Sequence, residues 1–157
     1  MLIIGVVLAL VMPRLRDPGR ANLLAQSHRL ELTFRLLRSQ AVLNGDTYRL
    51  NFDLDQQRYW VTPGGQSADL AQFASELGSL ARATQFESPI GMTDVVLPTL
   101  GGKIANGQIY TAFYPDGSVD PTVIHLSNGR EAYTLWLNPS GWRLKTEPGY
   151  HEVQYGQ

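Results

Sequence analysis

Residues 1–12 form an unbroken apolar run from Met1 to Met12 that stops at Pro13 and meets its first charge at Arg14. Exposed to water, such a run would aggregate, so its solvent is a bilayer or a bundle of like helices. Spanning a hydrocarbon core takes roughly 17 to 25 apolar residues, more than the run supplies before the proline. A secretory signal peptide is the competing explanation. No basic region precedes the run, however, and Met12, Pro13, Arg14 and Leu15 lack the small residues at alternate positions that signal peptidase reads. The expectation is that further apolar residues lie upstream of Met1.

The 157 residues fit one globular domain with a helical appendage. Thirteen basic residues against fourteen acidic ones leave no global field to attract nucleic acid or an anionic surface. The lack of cysteine excludes disulfides, thiolate metal sites and cysteine nucleophiles in this chain.

Pro13 and the Pro18–Gly19 pair break the run, and Asp17 before Pro18 is an N-cap followed by a first-turn proline. From Ala21 to Leu43 the apolar positions Leu23, Leu24, Leu30, Phe34, Leu37 and Ala41 recur at steps of three and four, the signature of an amphipathic helix. Asn44 and Gly45 end it. Tyr48, Leu50, Phe52 and Leu54 then alternate with polar residues, Asp55 to Gln57 turn the chain, and Arg58 to Thr62 return it as a hairpin. Residues 63–107 read as a long, partly irregular insertion with a short helix within 68–83. Strands are expected at 108–114, 122–126, 132–137 and 142–145, separated by turns at 115–118, 127–129 and 138–141. The tail from Glu147 carries no clear period. The chain thus divides into an apolar segment (1–16), an amphipathic helix (17–45) and a β-rich domain (46–157). Its fold class is α+β, a long N-terminal helix on an antiparallel sheet.

Chemistry finds little support. Asn51, Asp53 and Asp55 alternate toward a turn, but a calcium loop would need glycine and glutamate where Gln56 and Thr62 stand, so no metal is expected. His28, His125 and His151 are scattered. There is no nucleophile elbow, zinc-protease motif, phosphate loop or dinucleotide fingerprint, so no enzyme activity, cofactor or small-molecule substrate is expected. Arg14, Arg16, Arg20, Arg29, Arg35 and Arg38 form a solvated basic face, and the mixed tail with Arg143, Lys145, Glu147 and Glu152 argues against DNA as a partner.

The order of apolar run, proline, amphipathic helix and antiparallel sheet resembles the type IV pilin and pseudopilin plan. Leu36 to Gly45, with Arg38, Ser39 and Ala41 ahead of a glycine and the first strand, resembles the helix end of the GspH/FimT group. The turn Pro115, Asp116, Gly117 and Ser118 after Tyr114 resembles that group's aromatic-flanked turn. The resemblance implies an H-type minor pseudopilin at the tip of a type II secretion pseudopilus, helping to export folded proteins across the outer membrane. Its partners would be other minor and major pseudopilins. A minor type IV pilin that binds DNA for uptake is the alternative. Leu2, Ile3, Ile4, Val6, Val7, Leu8, Leu10, Val11 and Pro13 would form the membrane and assembly segment, single-pass in the inner membrane, with the domain in the periplasm. Leu24, Leu30, Phe34 and Leu37 would seat the helix on the sheet. The processing block that the family carries is expected upstream of Met1.

Overall fold

Proline at the first helical position has no amide proton to lose and a φ already set for the helix, so Pro18 opens α1. In the computed structural model, which describes residues 18–65, 70–137 and 144–155, α1 runs Pro18–Asn44. The apolar run and Pro13 lie outside the described residues. Gly45, at φ 67°, ends α1 in the left-handed conformation that glycine adopts without strain. The buried face is Leu23, Ser27, Leu30, Thr33, Phe34, Leu37 and Ala41. Ser27 and Thr33 tolerate burial by bonding back along the helix, Ser27 Oγ to the Leu23 carbonyl at 2.9 Å and Thr33 Oγ1 to the Arg29 carbonyl at 3.0 Å. Leu30, Phe34 and Leu37 are core residues, whereas Leu24 is only partly buried and its neighbour Leu23 takes the fully buried position.

The hairpin of β1 (Tyr48–Asp53) and β2 (Arg58–Pro63) closes from Asp53 opposite Arg58 to Tyr48 opposite Pro63. A short α2 (Leu70–Leu77) and a 3-10 turn follow, then β3 (Thr84–Gln85), β4 (Gly91–Leu97), β5 (Gly102–Ile104), β6 (Gln108–Phe113), β7 (Val123–Ser127), β8 (Ala132–Leu137) and β9 (Leu144–Pro148). They form two antiparallel sheets, ordered β3-β2-β1-β6 and β5-β4-β7-β8-β9. Three sequence expectations are corrected here. The stretch 63–107 contains β4, an inner strand of the larger sheet, which the insertion reading missed. Its pattern does not alternate, because Met92, Asp94, Val95 and Leu97 are all buried and a bulge falls between Met92 and Asp94. The C-terminal strands do not make one sheet, since β6 pairs with β1 instead. The last strand, described over Leu144–Pro148, extends past 145 into the tail that carried no period, while its expected start at 142–143 lies outside the described residues.

Gln57 joins the sheets. It is the one non-glycine residue with positive φ, 54°, among the described residues. Its side-chain amide donates to the Leu54 and Met92 carbonyls at 2.6 and 3.0 Å, and its oxygen accepts the Met92 amide at 2.5 Å. The core between sheets and helix is built on aromatic contacts, including the edge-on pair Phe34–Phe113 at 5.2 Å and Tyr59–Phe86 at 5.5 Å. Leu37→Ala is expected to lower unfolding free energy by about 2–5 kcal/mol. Leu32→Ala, at a half-exposed position, should stay within about 0.5 kcal/mol. Urea titrations of both variants check the assignment of helix faces.

Candidate functional site

The side of α1 turned away from the sheets carries leucines among its polar residues. Leu32 is 50% exposed and Leu43 74%, with Leu36 and Val42 beside them. Leu32, Leu36 and Leu43 follow one another at steps of four and seven, so they form a second apolar stripe along one face. An isolated helix of this composition gains nothing from presenting leucine to water. The stripe suits contact with another protein surface. Sequence reasoning missed it by reading only the stripe that seats the helix, although the spacing of these leucines was available.

At the C-terminal end of α1, the helix meets the turn Pro115–Ser118. Arg38 Nε donates to the Gly117 carbonyl at 2.7 Å. A Cβ on Gly117, whose φ is 83°, would come within 3.3 Å of Arg38 Nη2 and 3.4 Å of Val42. Asp116 Oδ1 accepts from the Ser118 amide at 2.8 Å and the Ser118 hydroxyl at 2.6 Å, and these bonds hold its carboxyl below the usual range. The helix end and the distant turn are therefore one contact. Arg38 is spent on this turn and Arg35 pairs with Glu31 at 3.5 Å, so part of the basic face serves the fold.

Of the three candidates at the hairpin, Asn51, Asp53 and Asp55, only Asp53 is buried. It accepts from the Gln56 amide at 2.9 Å and the Gln108 side chain at 3.0 Å, with Arg58 at 3.8 Å. The Gln56 bond is the main reason its carboxyl lies below the ordinary value, against the opposing effect of burial. Asn51 is turned toward Trp60 and Thr62 through its amide. Among the described residues no group of three or more histidine, cysteine or acidic side chains gathers around a point.

The histidines have separate fates. His28 is exposed on α1. His125, 1% exposed on β7, places Nδ1 at 2.6 Å from Asp94 Oδ1 and Nε2 at 2.8 Å from the His151 carbonyl. The Tyr150 hydroxyl donates to Asp94 Oδ2 at 2.9 Å, and its ring stacks on the imidazole at 3.9 Å. Burial raises the Asp94 carboxyl, but the bonds from His125 and Tyr150 outweigh it and hold the group below its ordinary value. The Asp94 carboxylate and the His151 carbonyl occupy the two ring nitrogens from opposite sides. With both ring nitrogens occupied, the Asp–His pair has no nitrogen left to take a proton from a substrate. It fastens the C-terminal segment 149–155 across the larger sheet. Tyr155 completes the strap by donating to the Thr122 carbonyl at 3.1 Å. Asp94 and Tyr150 were not among the sequence candidates.

Helix, two sheets and the helix–turn contact define a pilin-like protein. Residues 26–141 match the family model of the type II transport protein GspH, and the chain belongs to that family. Among solved structures it is similar to the minor pseudopilin EpsH from the type II secretion system of Vibrio cholerae. One such structure aligns with TM-score 0.58 at 14% identity, covering 82% of this chain and 95% of that one. Another aligns with TM-score 0.54 at 15% identity, covering 79% and 94%. No curated protein sequence matches.

The clasp gives a signed prediction. Because Asp94 ionises more easily folded than unfolded, its contribution is complete above the ordinary carboxylate value of about 4 and is lost as pH falls through the lower folded value. Asp94→Ala should cost about 3–5 kcal/mol at neutral pH, since it removes the shared partner of the buried His125 ring and the Tyr150 hydroxyl. Acid titration of its unfolding free energy should lack part of the wild-type decline.

Proposed function

We propose that the protein is a minor pseudopilin that works by packing, as a structural subunit near the tip of the type II secretion pseudopilus. The observation that carries this reading is the second apolar stripe of α1, Leu32, Leu36 and Leu43, on a helix whose other face is already filled by its own domain. Membership of a type II transport family supplies the system. In this reading Leu2, Ile3, Ile4, Val6, Val7, Leu8, Leu10, Val11 and Pro13 anchor the subunit in the inner membrane and then bury against neighbouring helices. The β-rich domain stands in the periplasm. Among the described residues no helix is long and apolar enough to cross a membrane; in this reading the anchoring role falls to the apolar run of residues 1–12.

The partners are other pseudopilins, and the work is exclusion of water from leucine surfaces rather than bond chemistry. A charge placed in such a contact is costly because it must be desolvated without a partner. Leu43→Glu and Leu32→Glu should leave the urea midpoint of the purified protein nearly unchanged. In cells they should lower cross-linking of the subunit to neighbouring pseudopilins about tenfold, the equivalent of ~1.4 kcal/mol. Unaltered cross-linking and normal export of a folded exoprotein in both variants would sink the reading.

A further inference from the structure

The exposed leucines of α1 belong to a longer and more regular pattern. Ala25, Arg29, Leu32, Leu36, Ser39 and Leu43 follow one another at steps of four, three, four, three and four, and every one is exposed. Asn22, also exposed, continues the period one step toward the N-terminus. Alternation of three and four is the heptad spacing that keeps one seam of a helix facing one partner helix along its length. A sheet or an irregular surface imposes no such period, so the occupant is a helix. Small side chains at Ala25 and Ser39 let a second helix lie close, and the three leucines supply the knobs.

Arg29 is the charged member of this seam. Among the described residues no carboxylate forms an ion pair with it. Glu31, the sole carboxylate of α1, pairs with Arg35 at 3.5 Å. Burial holds the Tyr59 phenol above its ordinary value and the Arg29 charge works against that, but an un-ionised phenol does not neutralise a cation. A guanidinium carried into a helix seam loses water, and only an opposite charge on the partner offsets the cost.

We propose that α1 packs through this seam on a single parallel helix of a different anchored chain, one that sets a carboxylate opposite Arg29. The pairing rests on the packing and anchoring reading given above. A second copy of this chain is opposed by geometry and charge together. Two copies anchored by the same apolar run leave the bilayer in the same direction, so their helices pair parallel and equivalent seam positions meet in one layer. Arg29 would then face Arg29, a like-charge contact. The leucines supply association and Arg29 supplies the choice of partner. A helix with an apolar or basic residue in that layer leaves the guanidinium desolvated and unmatched.

The test places photoreactive benzoylphenylalanine in the full chain, in the cells that make it, at Ala25, Leu36 and Ser39, with exposed Asp55 and Asn106 as controls off the helix. Cross-links are expected at the three seam positions and not at the controls. Mapped by mass spectrometry, they should fall on one helix of another chain at steps of three and four, with an aspartate or glutamate in the layer of Arg29. Arg29→Glu should lower seam cross-linking about tenfold and leave the urea midpoint of the purified protein unchanged. Changing the mapped carboxylate to arginine in the same cells should restore the cross-link, and failure of that reversal overturns the pairing. Cross-links to a second copy of this chain, or to a surface without helical spacing, overturn it too. Full cross-linking in Arg29→Glu with loss in Leu43→Glu overturns the pairing and leaves the packing reading in place. Absence of seam cross-links together with normal export in Leu43→Glu overturns both.

Discussion

Two antiparallel sheets that share no backbone ladder can be held as one body only by side chains, and here α1 supplies most of them. Leu23, Leu30 and Leu37 are fully buried at seven-residue intervals, and Phe34 reaches Phe113 on the smaller sheet. The smaller sheet would otherwise expose Tyr48, Leu50, Phe52 and Phe113 on its inner face. The larger would expose Ile124, Leu126 and Leu135. Removing the helix therefore unmakes both sheets at once, because a sheet with one solvated face needs its other face covered. Gln57 adds a polar clip between them, and it does so from a backbone conformation that most residues avoid.

The two short motifs that carried the family resemblance turn out to touch. Arg38 on the helix and Gly117 in the turn lie seventy-nine positions apart, and their bond at 2.7 Å ties the end of α1 to the connection between β6 and β7. Glycine is required there twice over, by its φ and by the closeness of Arg38 and Val42. Two weak sequence signals in the right order are thus one structural feature seen from its two ends.

The legibility of the rest follows the range of the forces that set it. The α1 period and the β1–β2 alternation are local and could be read directly. The strand at Gly91–Leu97 could not, because burial on both faces removes the alternation and the bulge after Met92 shifts what remains. Nor does a strand's period name its neighbour. Pairing of β6 with β1 is chosen by the long-range fit of Ile109, Thr111 and Phe113 to the inner face of the hairpin. The clasp was equally hidden, since Asp94, His125 and Tyr150 meet only after three separated segments have been placed. In the sequence His125 is one of three scattered histidines, and its task is defined by partners outside any local window.

A subunit that works by packing needs a body that does not yield when its neighbours press on it. The Asp94–His125–Tyr150 clasp and the Tyr155 contact hold the C-terminal segment against the larger sheet, while Gln57 and Arg38 prevent the smaller sheet and its turn from sliding over the helix. Each is a polar contact placed where apolar packing alone would permit several arrangements of similar energy. Hydrogen bonds of this kind add little net stability, yet they penalise every alternative that leaves them unmade. In the proposed role, the free energy of burying Leu32, Leu36 and Leu43 against a neighbour would go into association and not into deforming the domain. Under the proposed packing role, rigidity on one side of α1 makes the apolar stripe on the other side usable for contact with a neighbour.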